Sequence, residues 1–140
     1  MIVFDASLAL KWYLDEPGSQ AAESALAQHG GQIIVPDVFV LEVTGALVRQ
    51  ANMSKAIRGD METALSGFLA LIDEQVISMD ETGTAAMVRA AGLALDLGHP
   101  LKDCIYLALA MKMGCELLTS DRRFAAKAVA AWPKVRVLEG

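Results

Sequence analysis

Five short runs of β-branched or apolar residues recur along the chain: Ile2-Val3-Phe4, Gln32-Ile33-Ile34-Val35, Gln75-Val76-Ile77-Ser78, Glu116-Leu117-Leu118-Thr119 and Val135-Arg136-Val137-Leu138. Stretches of helical length and composition separate them. A strand that is apolar on both sides must be covered on both faces. Alternation with helices supplies that cover through crossover connections. The pattern therefore predicts an α/β fold with a parallel sheet of about five strands between layers of helix.

Breakers mark the helix boundaries. Helices are expected from Ser7 to Leu14, ahead of Pro17-Gly18, and from Ser19 to Gln28, ahead of Gly30-Gly31. A third opens at Pro36-Asp37 and runs through Val48 to about Ala51, and a fourth runs from Ser54 to about Ile72. Glu81 to Leu97 ends at Gly98, Leu101 to Met113 at Gly114, and a short Asp121 to Ala131 before Pro133. With no repeat, linker or low-complexity tract in 140 residues, one domain spanning 1–140 is the expectation.

Apolar residues at 54% and charged residues at 21% exclude a disordered chain. The longest apolar run, Cys104 to Met111, stops at Lys112, far short of the roughly 18 residues of a membrane span. The start lacks a basic segment, and Asp5 interrupts the only early apolar stretch, so no signal peptide is expected. These features point to a soluble, cytoplasmic protein. A net charge of −5 argues against coating nucleic acid by overall basicity. Two histidines and two cysteines without ligand spacing make a zinc site improbable, and Cys104 and Cys115 are expected as reduced thiols.

Four carboxylates stand out. Asp5 directly follows the first strand, at the sheet edge where parallel α/β proteins bind ligands. Its ordinary alternative is a helix cap, although Ser7 could cap the helix as well and leave Asp5 freer for other work. Glu42 has Val38, Phe39, Gly45 and Ala46 as helical neighbours, an apolar face on which a lone charge is costly. Otherwise it sits at the rim of that face or pairs with Arg49. Asp103 shares a stripe with Tyr106, Leu107 and Ala110, and the positive end of a helix dipole would also suit it. Asp121 repeats the placement of Asp5 after the fourth strand, and an N-cap is its ordinary reading taken alone. A cluster of acids without histidine suits Mg²⁺ or Mn²⁺, cations that bind phosphate oxygens and activate water. No glycine-rich phosphate loop and no serine–histidine pair competes with that reading. Without a metal, four gathered carboxylates repel, so at least one pKa is expected above its unfolded value.

The sequences Asp5-Ala6-Ser7, Val38-Phe39-Val40-Leu41-Glu42-Val43, Asp103-Cys104-Ile105-Tyr106-Leu107-Ala108-Leu109-Ala110 and Leu118-Thr119-Ser120-Asp121-Arg122-Arg123-Phe124 resemble the PIN-domain ribonucleases, in particular the VapC-type toxins of toxin–antitoxin pairs. The resemblance runs from residue 1 to about 138, with Leu101-Lys102 a mild departure ahead of the third acid. It implies a three-layer α/β/α sandwich and a metal-dependent endoribonuclease. Asp5, Glu42, Asp103 and Asp121 would hold Mg²⁺ or Mn²⁺, with Ser7 and Thr119 in support. A cognate antitoxin and an RNA substrate, with tRNA a candidate, are the implied partners, with a homodimer or a hetero-oligomer as the assembly.

Without the four carboxylates the remaining charge is close to neutral. Lys11, Arg49, Lys102, Arg122 and Arg123 then become candidates for RNA phosphate contacts. Two other readings stay open. One is a phosphoacceptor domain of receiver or haloacid-dehalogenase type, with Asp5 as carrier and Lys102 as its phosphate partner. The other is a non-catalytic binding module.

Overall fold

The computed structural model describes residues 1–139. Among them are five strands: β1 (Ile2–Phe4), β2 (Ile33–Pro36), β3 (Ile77–Asp80), β4 (Glu116–Thr119) and β5 (Val135–Val137). Seven α-helices join them: α1 (Ala6–Tyr13), α2 (Ser19–His29), α3 (Val38–Met53), α4 (Arg58–Asp73), α5 (Thr84–Leu97), α6 (Leu101–Met113) and α7 (Arg122–Ala128). A single 3₁₀ turn at Lys55–Ile57 leads into α4. All strand pairs are parallel, in the order β3-β2-β1-β4-β5. Right-handed crossovers put α1–α4 on one face and α5–α7 on the other, the expected three-layer sandwich.

The core is the apolar strands themselves. Val3, Phe4, Ile33, Val35, Ile77 and Leu117 have no accessible surface. Helix α6 is buried from Cys104 through Ala110 because it lies on β1, β2 and β4 while α5 covers its outer side. That explains its unbroken apolar run, since a helix covered all round needs no polar face. No helix is long and apolar enough to cross a membrane among the described residues.

Several boundaries differ from expectation; α4 starts at Arg58 rather than Ser54, with the 3₁₀ turn between. β3 begins at Ile77, two residues later than the apolar run suggests. Gln75 takes a left-handed conformation (φ 59°), and the amides of Gln75 and Val76 donate to the carbonyls of Ile72 and Leu71 (3.0 and 2.9 Å). Those two residues therefore close α4 rather than extend the strand. α5 starts at Thr84, because Gly83 ahead of it is extended and the Thr82 amide donates to the Asp37 carboxylate (3.3 Å). α7 ends at Ala128 rather than Ala131.

Candidate functional site

The strand order reverses direction between β1 and β4, and a crevice forms at the carboxyl edge of such a switch point. Phe4 pairs with Leu118, which sets Asp5 beside Thr119 one step beyond the last bridge. Asp5 caps α1, accepting from the Ser7 amide (3.1 Å) and from the Ser7 hydroxyl at Oδ1. The Thr119 hydroxyl donates to its other oxygen, Oδ2. Of the two cap candidates in the sequence, Asp5 is the one used, and Ser7 holds its carboxylate. Ser7 Oγ also accepts from the Ser120 amide (3.0 Å), and Thr119 Oγ1 from the Asp121 amide (3.0 Å). Two hydroxyls thus fasten the end of β1 to the end of β4.

Asp5 is 4% exposed, and burial pushes its carboxyl up to about 7. The Ser7 and Thr119 hydrogen bonds oppose that rise, and the Asp103 charge adds to it. A raised acid is what the sequence predicts, but desolvation leads and mutual repulsion is minor. No lysine or arginine pairs with Asp5 among the described residues; hydroxyls and an amide surround it.

Glu42 projects from α3, on the opposite layer from α6. Tyr106 Oη donates to its Oε1 (2.8 Å), and Lys102 Nζ lies 3.5 Å from Oε2. Its cation is thus Lys102 rather than Arg49. Burial raises the Glu42 carboxyl, with Tyr106 and Lys102 pulling the other way and Asp103 adding to the rise. Burial and the adjacent Glu42 charge also push the Tyr106 phenol up, so it remains a donor.

Asp103, in the first turn of α6, meets His99 Nε2 at 2.7 Å. Asp121 caps α7, accepting from the Phe124 amide (3.0 Å), and is exposed. The Asp103 charge thus acts on both Asp5 and Glu42, while Asp121 is linked to Asp5 through its own backbone amide and the Thr119 hydroxyl. Among the described residues, no three acid, imidazole or thiolate side chains stand close enough to chelate a metal as they are. The donor chemistry nonetheless suits a hard cation. All four are carboxylates, and Asp5 is buried without a counter-charge.

Of the basic candidates, Lys11 is engaged elsewhere. Its ammonium donates to the Pro17 carbonyl (2.6 Å) and lies 3.4 Å from Glu16. Lys102 is at the rim and more than half exposed, while Arg49 and Arg123 are exposed. Arg122 lies 3.9 Å from Glu139, with both side chains largely in solvent. The residue that sequence reasoning misses is His99. Its position four before Asp103 is the available signal.

Fold and site together define a parallel α/β domain with an acid-rich, hydroxyl-fastened centre at the switch point of its sheet. The family model described as PIN domain matches residues 2–130, and the chain belongs to that family. Within it, the chain is 33% identical over 128 residues to ribonuclease VapC3 of Pyrobaculum aerophilum, covering 90% of this chain and 93% of that protein. It is 33% identical over 127 residues to ribonuclease VapC12 of Mycobacterium tuberculosis, covering 89% and 90%. Among solved structures it resembles a toxin–antitoxin complex from Klebsiella pneumoniae, with a TM-score of 0.68, 19% identity, and 99% and 98% of the two chains covered. It also resembles the sarcin-ricin-loop-cleaving toxin VapC20 of Mycobacterium tuberculosis, with a TM-score of 0.72, 14% identity, and 90% and 94% covered. At such identities these two likenesses speak for the fold.

Proposed function

We propose that this chain is a VapC-type endoribonuclease that hydrolyses RNA phosphodiester bonds at the β1–β4 switch point with Mg²⁺ or Mn²⁺. The observation that carries the reading is Asp5: a carboxylate 4% exposed, raised to about 7, and held by hydroxyls with no cation beside it. Kinship with the VapC ribonucleases supports the reaction class. Asp5, Glu42, Asp103 and Asp121 are the residues that would hold the cation. A hard divalent cation held there supplies a Lewis acid for phosphate oxygens and an acidified water.

The chain's own groups do the rest. Ser7 and Thr119 donate to the Asp5 carboxylate and fix its orientation. Oδ1 accepts twice and Oδ2 once, so by lone-pair count Oδ2 retains one acceptor site. Tyr106 and Lys102 hold Glu42 and offset part of its charge. Lys102, at the rim, is placed to meet a phosphate of the RNA strand without sequence selection. The phosphoacceptor alternative would want that lysine beside Asp5; it lies against Glu42 instead.

By the same kinship the chain is the toxin of a pair, inhibited by a cognate antitoxin, and it acts as a homodimer or within a hetero-oligomer. The test is incubation of the purified protein with total RNA and with individual tRNAs, in Mg²⁺, Mn²⁺ or EDTA. Metal-dependent cleavage that Asp103→Asn abolishes is expected. Absence of cleavage in every metal, together with harmless expression of the chain without its antitoxin, would overturn the reading.

A further inference from the structure

Helix α6 begins in an unusual way. Its N-cap is Pro100, which has no amide hydrogen. Counting from that cap, Asp103 is the third helical residue, where an acid normally reaches back to the N-cap amide. Here that donor does not exist. The Asp103 carboxylate instead meets the ring of His99, with Nε2 2.7 Å from Oδ2. The His99 side chain is 6% exposed, and its other ring nitrogen, Nδ1, is buried without a hydrogen-bond partner among the described residues. The ring also stacks on Phe124, with centroids 4.9 Å apart and planes 27° from parallel. An apolar ring would fill that space without burying an unmet nitrogen. Packing alone therefore does not account for a histidine here; the bond to Asp103 does. Through Phe124, whose amide donates to Asp121, the same ring braces the helix that carries the fourth acid.

We propose that His99 is a positioning residue for the cation site: it fixes the carboxylate of Asp103 through Nε2 and, stacked on Phe124, ties that acid to the α7 cap at Asp121. This rests on the reading that Asp103 helps hold a divalent cation. With Nε2 donating to Oδ2, the rest of the carboxylate's acceptor capacity stays turned away from the imidazole. Asp103 is then oriented before the cation arrives, as partners behind metal-binding carboxylates generally do.

Two substitutions separate donor from ring. His99→Gln keeps a donor at similar reach and removes the aromatic stack; His99→Phe keeps the stack and removes the donor. Mn²⁺ binding is measured on the folded proteins by the loss of the free-ion electron paramagnetic resonance signal, and each protein is melted in EDTA. His99→Phe is expected to weaken Mn²⁺ binding roughly 10–100-fold with its metal-free melting temperature retained, and His99→Gln to stay within about threefold of wild type even if it melts lower. Wild-type affinity in His99→Phe overturns the proposal. So does a tenfold or greater loss in His99→Gln, which decides the matter even if His99→Phe does not fold. A wild type that binds no Mn²⁺ overturns the cation site itself, and this inference with it. Normal wild-type binding with an indifferent His99→Phe overturns this inference alone.

Discussion

Replacing Asp5 by Asn in the metal-free protein should reverse the usual sense of a buried polar substitution. Asp5 has a folded-state pKa of about 7, while an aspartate in the unfolded chain titrates near about 3.9. Between those values the native state holds a proton that the unfolded state has released. Stability from this group is therefore present at low pH and lost as pH rises through about 7. At pH 5, about two units below the folded pKa, the gain relative to pH 8 is about 3 kcal/mol at roughly 1.4 kcal/mol per unit. The 4% exposure of Asp5 leaves little solvent to screen it.

Asn has the same shape and no charge to desolvate. Its carbonyl can still accept from the Ser7 amide and hydroxyl, and its amide can donate to Thr119 Oγ1. Urea titrations of both proteins in EDTA at pH 5, 6, 7 and 8 isolate Asp5, because every other titrating group is common to the two. Asp5→Asn should exceed wild type at pH 8, and the difference should shrink by about 3 kcal/mol towards pH 5. Adding Mg²⁺ at pH 8 should stabilise wild type and leave the variant nearly unmoved. A difference constant to within about 0.5 kcal/mol across that range would refute the argument, because Asp5 would then titrate like an ordinary carboxylate. A variant weaker at every pH, with equal Mg²⁺ effects, would make Asp5 a structural cap only.

Two further outcomes follow from the donors behind the acids. Thr119→Val removes the hydroxyl that donates to Asp5 and accepts from the Asp121 amide, and it should destabilise by about 1–3 kcal/mol, more at pH 8 than at pH 5, as read by paired urea titrations. Tyr106→Phe deletes the donor to Glu42; it should raise the Glu42 carboxyl further and weaken Mn²⁺ binding roughly 10–100-fold, measured by the same free-ion signal.

The sheet was legible because its strands are too apolar to be anything but covered on both faces. Where the expectation slipped, local closure outweighed hydrophobicity. Gln75 and Val76 read as the start of β3, yet their amides terminate α4. Asp5 shows a different kind of gap. Capping and cation binding read as rival uses of one carboxylate; the structure makes the cap with Oδ1 and leaves Oδ2 with the Thr119 hydroxyl as its donor, so the cap by itself does not exclude the proposed binding. Composition can suggest that acids gather, and it suggests repulsion as the consequence. The burial of Asp5, which makes desolvation the largest influence on its carboxyl, depends on packing that no residue count contains. His99 escapes for a related reason: two histidines without ligand spacing make a zinc site improbable, but one can meet an acid, and the clue lies in its position four before Asp103.

Each of the four acids has an oxygen engaged by a donor from this chain: Ser7 and Thr119 on Asp5, Tyr106 on Glu42, His99 on Asp103 and the Phe124 amide on Asp121. These donors come from α1, β4, α6, the α5–α6 turn and α7. Glu42 and Asp103 belong to opposite layers of the sandwich, and Asp5 and Asp121 follow the two strands between which the order reverses. Only at such a reversal do the helices part enough for side chains of both layers to approach one point. Carboxylates oriented in advance lose less conformational freedom when a cation arrives, but their charges oppose assembly of the empty site. Protonation of buried Asp5 near neutral pH relieves that opposition, because the acid most costly to ionise is the one that gives up its charge. A cation arriving at the site then displaces a proton, so its binding should weaken as pH falls below about 7. The same carboxyl that stabilises the metal-free protein in mild acid is thus the one that makes the proposed centre depend on pH.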